Sequence, residues 1–137
     1  MKYHHHQLEF EIDDSWLAEA NVTDFVPSQE SYVADQGRFP GSEILIVLIE
    51  DVSPLTERAR IKGVFCDSED TGDTAKERVM RILHWFRENE PVEPVKVVRL
   101  ENSAFKFKLV EGSHRFHCAL AMGFVSVPAV IGFEFEV

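Results

Sequence analysis

A stretch of five residues around position 113 combines side chains that could bind an anion. Residues 111–115 read Glu-Gly-Ser-His-Arg and stand between an apolar segment and a segment typical of a helix. A helix that begins here leaves its first backbone N–H groups unpaired, and these donors, with the positive end of the helix dipole, attract anions. Glycine allows a close approach of the backbone, and serine, histidine and arginine add further donors. The stretch could therefore hold a phosphate group.

The same five residues also suit an ordinary helix start. In that interpretation Ser113 is the N-cap and Gly112 relieves the turn. His114 is then a half-buried packing residue, and Arg115 is solvated. In the phosphate interpretation Glu111 orients a ribose or a metal ion, or acts as a base. Because junctions from strand to helix are common, the five residues alone leave both interpretations open.

The pattern of apolar residues upstream of this turn predicts one strand and one long helix. Residues 44–49 are apolar at every position, which is typical of a central strand. Residues 74–89 predict an amphipathic helix with one buried face. Its apolar residues recur at i, i+3, i+4 and i+7: Val79, Ile82, Leu83 and Phe86. The polar loop before it offers Thr71 or Asp73 as the N-cap.

Further strands are predicted before and after the Glu-Gly-Ser turn. Residues 95–100 and 105–110 are separated by four residues, which predicts a hairpin. Residues 113–122 predict a helix that ends before Gly123. Residues 127–137 predict a further strand. These elements indicate the α+β class, with a small mixed sheet and packed helices.

The first 43 residues are expected to pack on this sheet as an N-terminal extension. Residues 7–12 alternate apolar and acidic side chains, as a half-exposed strand does. Asp13 or Asp14 can then cap a short helix. The three histidines at 4–6 are interpreted as a flexible terminal tract or the remnant of a tag. The whole chain of 137 residues is expected to be a single domain.

Composition and charge exclude several functional classes. No apolar run approaches the roughly 18–20 residues of a membrane span, and the N-terminal residues lack the apolar centre of a signal peptide, so we expect a soluble, cytoplasmic protein. The net charge is −10, and residues 1–70 carry 15 acidic and 5 basic residues. Such a chain is not expected to present an extended nucleic-acid surface, because duplex binding depends on Lys and Arg.

The sequence predicts no metal site. His114 and His117 stand at i and i+3 and could ligate a metal together, but no third ligand is visible. The acidic loop at 66–73 lacks the spacing and the final glutamate of a calcium-binding EF-hand loop. Solvated carboxylates are the simpler interpretation of that loop.

Residues 92–131 resemble the ParB/sulfiredoxin superfamily. The resemblance rests on five ordered features: Pro94-Val95-Lys96-Val97, the turn 110–115 reading V-E-G-S-H-R, Arg115-Phe116-His117-Cys118-Ala119 in the helix that follows, the glycine at 123, and Val127-Pro128-Ala129-Val130. The upstream helix and the strand at 44–50 follow the order of elements in that superfamily. The clear match covers about 40 residues, 92–131.

The resemblance implies nucleotide binding. Members of the superfamily bind ATP, ADP or CTP with the phosphates on this turn and on the helix that follows. Carried over to this chain, the phosphate contacts are Gly112, Ser113, His114 and Arg115. Mg²⁺ is the expected companion of the nucleotide.

Departures from the family pattern narrow the activities that the resemblance allows. Sulfiredoxins have a cysteine where this chain has Ser113, so we expect no sulfiredoxin activity. Partition proteins read G-E-R-R and continue into a helix-turn-helix domain. Because this sequence is acidic and ends six residues after Ile131, we expect no plasmid-partition function either.

The most similar pattern is the D-G-H-H-R of ParB-like free serine kinases, with Glu111 in place of Asp and Ser113 in place of the first His. This likeness implies phosphoryl transfer from ATP or ADP to a small hydroxyl substrate, with Glu111 and His114 as catalytic candidates. Such a kinase also needs an upstream acid to accept the hydroxyl proton. Glu50 is the catalytic candidate for that role, and Asp51 and Glu57 share its location after the strand.

A second hypothesis belongs to another class. The acidic N-terminal half could serve as the contact surface of a non-catalytic interaction module, and the partner would then be a basic protein.

Overall fold

A four-stranded sheet carries the fold. The described residues, 1–37, 41, 43–54 and 63–132 of a computed structural model, form this sheet, a two-stranded sheet and three α-helices. The elements in chain order are β1 (Lys2–His5), β2 (Leu8–Glu11), α1 (Asp14–Glu19), β3 (Leu45–Leu48), a 3₁₀ turn (Ile49–Asp51), α2 (Ala75–Arg87), β4 (Val95–Arg99), β5 (Phe107–Glu111), α3 (Ser113–Ala121) and β6 (Ser126–Ile131). The predicted α+β class is confirmed.

The large sheet mixes parallel and antiparallel pairs in the order β3-β6-β4-β5. Strand β6 lies antiparallel to β3 and parallel to β4, and β4 and β5 form the predicted antiparallel hairpin. The prediction of a central strand at 44–49 was wrong. Among the described strands, β3 lies at the edge of the sheet and β6 lies inside it. Val47 of β3 is buried, whereas Ile46 and Leu48 are 62% and 43% exposed. The unbroken apolar run therefore belongs to a strand with one buried face.

The buried face of the predicted long helix is confirmed. Val79, Ile82, Leu83 and Phe86 of α2 belong to one core cluster with residues of β4, β6 and α3. The N-cap is Thr74 rather than Thr71 or Asp73. Its hydroxyl accepts the Glu77 N–H at 3.1 Å, and the Glu77 carboxylate accepts the Thr74 N–H, which makes a capping box. Asp73 instead pairs with Arg81.

The N-terminal histidines are part of a strand, so the interpretation of residues 4–6 as a flexible tract was wrong. Strand β1 pairs antiparallel with β2 from Lys2 to His5. The His5 ring is buried, and its Nε2 donates to the Val52 carbonyl at 2.8 Å. Asp13 is the N-cap of α1, as predicted. Beyond this hairpin, Leu17 and Tyr32 join the core cluster.

Within the ranges given above, no helix combines the length and the apolar character that a membrane crossing requires.

Candidate functional site

The Glu-Gly-Ser turn joins β5 to α3 through a left-handed glycine. Gly112 has φ 103° and ψ 34° and is the N-cap of α3, whereas Ser113 is already the first helical residue. The prediction of Ser113 as N-cap was therefore wrong. A Cβ at position 112 would lie 2.9 Å from Cγ1 of Val95 and 3.0 Å from Nη2 of Arg115. Both the backbone angle and the lack of space require glycine here.

Ser113 and His114 hold a neighbouring segment, 63–66, against the start of α3. The Ser113 hydroxyl donates to the Val64 carbonyl at 3.0 Å. Nε2 of His114 lies 3.1 Å from the Cys66 amide nitrogen and 3.2 Å from the Cys66 carbonyl oxygen, and the tautomer decides which of the two it binds. The two side chains predicted to touch a phosphate thus already have backbone partners.

His114 is neutral at physiological pH. Its ring is buried, and burial is the largest cause that lowers the pKa of His114 to about 4. The positive charges of Arg78 and Arg115 lower it further, and the hydrogen bond with Cys66 opposes them. An uncharged, buried imidazole is a poor electrostatic partner for a phosphate.

Arg115 ties α3 to the start of β4. Its Nη1 donates to the carbonyls of Glu93 and Pro94, at 3.2 Å and 3.0 Å. The same nitrogen lies 3.2 Å from the Glu93 carboxylate. The guanidinium is therefore largely buried, with Nη1 used to hold the start of β4 and Nη2 lying beside Gly112.

The backbone amides at the start of α3 have no such partners. No acceptor among the described residues binds the N–H groups of Ser113, His114 or Arg115, and the first helical bond runs from Phe116 N to the Gly112 carbonyl. Gly112 offers no side chain to cap them. The start of α2 differs, because Thr74 caps it and Asp67 accepts the Ala75 N–H at 2.7 Å. The donors expected at a phosphate site are thus present on α3 as backbone groups.

The structure brings Glu111 to this turn but not Glu50. Glu111 is exposed, ends β5 and faces Lys96 in the register of β4. Glu50 is exposed in the 3₁₀ turn, and the chain next to it bridges from Val52 to Phe107 at the start of β5. Four residues of strand, about 13 Å, separate that bridge from the end of β5. Glu57 lies outside the described residues.

Three buried histidines surround the first turns of α3. His117 is fully buried, and its Nδ1 donates to the Ser113 carbonyl at 2.7 Å. Burial lowers the pKa of His117 to about 4 and also lowers the pKa of His5. Phe10 and Phe116 pack on the His117 ring, with centroids 4.9 Å and 5.1 Å away. Within the described part of the chain, no group of three or more metal-ligating side chains converges.

A cleft that the sequence did not reveal lies beside the turn. It has a volume of about 410 Å³ and lies between β2, the start of α1 and residues 63–65. Its lining residues include the aromatic Phe10, Trp16 and Phe65 and the acidic Glu9, Glu11 and Asp13. Val64 lines the cleft and also accepts the Ser113 hydroxyl bond, so the cleft adjoins α3. The alternation of apolar and acidic residues at 7–12 indicated one wall of the cleft. The other wall comes from residues 63–65 and Ala75, which are far from it in the sequence.

No protein-family model matches this chain, and no curated protein or solved structure matches it either.

Proposed function

We propose that this protein binds a nucleotide whose phosphates lie at the start of α3. The observation that carries the proposal is the uncapped helix start behind a left-handed glycine, where the amides of Ser113, His114 and Arg115 lack acceptors among the described residues. Three such donors and the helix dipole favour an anion. The resemblance of 92–131 to nucleotide-binding proteins supports the same location.

In this proposal the side chains take different roles from those that the sequence suggested. The Ser113 hydroxyl donates to Val64 and keeps lone pairs, so the phosphate is bound mainly by the amides. His114 and Arg115 are positioning residues, because the His114 ring binds Cys66 and Nη1 of Arg115 donates to the carbonyls of Glu93 and Pro94. Gly112 provides the left-handed turn and offers no side chain that would cap these amides.

Phosphoryl transfer to a small hydroxyl substrate is the reaction that this site would support. The transfer needs Mg²⁺ to neutralise the phosphates and a carboxylate to accept the hydroxyl proton. Glu111 adjoins the turn and is exposed, so it is the proposed ligand of Mg²⁺ or the proposed base. Glu50 is dropped from the proposed machinery, because the 3₁₀ turn lies at the other end of β5.

Isothermal titration with ATP, ADP and CTP, each with and without Mg²⁺, tests the proposal. We expect saturable binding of at least one nucleotide. Ser113→Asp should weaken it by about tenfold or more, because a carboxylate in the first turn repels phosphate while it suits the helix dipole. Ser113→Ala should keep the affinity within a few-fold.

Circular dichroism of both variants controls for loss of the helix. Absence of heat with all three nucleotides at millimolar concentration would contradict the proposal. Equal affinities of the wild type and a folded Ser113→Asp variant would place the phosphates elsewhere.

A second candidate function is the interaction module with an acidic surface. The observation that favours it is the run of exposed carboxylates along β2 and α1: Glu9, Glu11, Asp13, Asp14 and Glu19. A pull-down with a basic protein partner should lose the partner in high salt and after charge reversal of Glu9 and Glu19. If the same amount of the basic partner is retained in high salt, the result argues against this candidate function.

A further inference from the structure

The floor of the cleft beside α3 is aromatic. Phe10 and Phe65 meet edge to face with centroids 6.0 Å apart, and Trp16 lines the cleft from α1. Leu8 and Val64 complete the apolar surface. Phe65 and Trp16 are each only half-buried, so their rings remain accessible to a ligand. The ring faces carry partial negative charge, which attracts cations.

The rim of the same cleft is acidic. Glu9, Glu11 and Asp13 line it, and none of its described lining residues carries a positive charge. Asp13 accepts hydrogen bonds from the amide and the hydroxyl of Ser15, at 2.8 Å and 2.6 Å, which hold the pKa of Asp13 below its usual value. Its carboxylate is therefore ionised at neutral pH.

Among the described residues, cations near the rim lie on β1 and at the start of α2, where the charge of Lys76 acts on Asp13. Lys2 Nζ and His4 Nε2 lie 3.5 Å and 3.3 Å from Glu9, and the terminal amine lies 4.0 Å from Glu11. Such pairs between exposed groups contribute little and exchange readily for another cation. The described carboxylates on and next to the rim outnumber these cations, so the field at this part of the surface is negative: Glu9, Glu11, Asp13, Asp14 and Glu19.

We propose that this cleft binds a small organic cation, an amine or quaternary ammonium group carried on an aromatic or aliphatic body. The volume of about 410 Å³ is that of a small-molecule site, and ligand sites of this kind combine apolar walls with a few charged groups. Carboxylates on the rim bind the charge, and the rings bind the body and add cation–π attraction. An anion is repelled here, so the site is distinct from the nucleotide site proposed on α3.

Calorimetric titration of the full chain with phenethylamine tests the inference. We expect saturable binding that weakens as salt increases. The neutral analogue 2-phenylethanol should bind about tenfold more weakly or worse, and the anionic analogue 3-phenylpropionate should not bind. In heteronuclear NMR the largest shifts should fall on Phe10, Trp16 and Phe65.

Two variants with the same change in net charge separate the rim from the general field of an acidic protein. Glu9→Gln with Glu11→Gln should weaken phenethylamine binding by about tenfold. Glu90→Gln with Glu101→Gln removes two exposed carboxylates outside the cleft lining and should change it less than about twofold. Phe65→Leu should weaken binding without altering the salt dependence.

Equal binding of phenethylamine and 2-phenylethanol would overturn the inference, and so would equal losses in the two double variants. Binding of a blocked Lys-Leu-Lys peptide without binding of phenethylamine would also overturn it and would identify the cleft as a contact for a basic protein. The nucleotide titration of the wild-type chain is an independent measurement, because its ligands are anions that this cleft should repel.

Discussion

Acidification from pH 7 to pH 5 is expected to lower the free energy of unfolding by about 4 kcal/mol, with about 2 kcal/mol from each of His114 and His117. Both rings are buried, and the pKa of each is lowered to about 4 in the folded protein. In the unfolded chain a histidine has a pKa near 6.5. Between these values the unfolded state binds more protons, so stability falls as the pH falls. The full stabilisation is present above pH 6.5.

Urea denaturation at pH 7, 6 and 5 measures this effect. His117→Gln removes one of the three buried rings with a lowered pKa and keeps a side-chain N–H that can donate to the Ser113 carbonyl. We expect the change in the free energy of unfolding between pH 7 and pH 5 to be about 2 kcal/mol smaller in this variant. If the free energy of unfolding changes equally with pH in the wild type and in His117→Gln, the prediction is contradicted.

Gly112→Ala is expected to destabilise the protein by about 2–4 kcal/mol. A residue with a side chain pays about 1 kcal/mol or more for a left-handed backbone, and the new Cβ would meet Val95 Cγ1 at 2.9 Å. Val95 is fully buried in β4, so relieving the contact must move the core, at about 1–3 kcal/mol.

Gly72→Ala is the matched control for this prediction. Gly72 also has a left-handed φ, 77°, but a Cβ there would meet no described atom within 4 Å. We expect it to cost only the backbone term, about 1 kcal/mol. Urea midpoints of the two variants and the wild type give the comparison. Equal destabilisation by the two substitutions would show that the contact with Val95 is without consequence.

The sequence predicts those elements whose signal is local. The spacing of Val79, Ile82, Leu83 and Phe86 fixed the buried face of α2, because helical periodicity depends only on near neighbours. The capping box from Thr74 to Glu77 is also local, but Thr71 and Asp73 just before it are equally common N-cap residue types. The edge position of β3 has no local signal, since an apolar run does not specify which strands flank it.

At the candidate site, prediction from the sequence is also limited to features with a local signal. The sequence correctly places a glycine turn before a helix, but the partners of the side chains come from distant segments. Ser113 binds Val64, and Arg115 binds the carbonyls of Glu93 and Pro94. Carbonyl acceptors are present at every residue and leave no mark in the sequence. The burial of His5 likewise depends on Val52, 47 residues away.

The order of strands in the large sheet also governs when the chain can fold during its synthesis. The central strand β6 is the last of the described strands to be made, and both β3 and β4 pair with it. At typical ribosome speeds, roughly 5–15 s pass between the completion of β3 and that of β6. Throughout that interval β3, with its apolar residues Ile46 and Leu48, lacks β6, its partner among the described strands. During that time the protein's own sheet cannot cover the apolar residues of β3. The nascent chain therefore depends on other means to keep these residues from contacting other apolar chains.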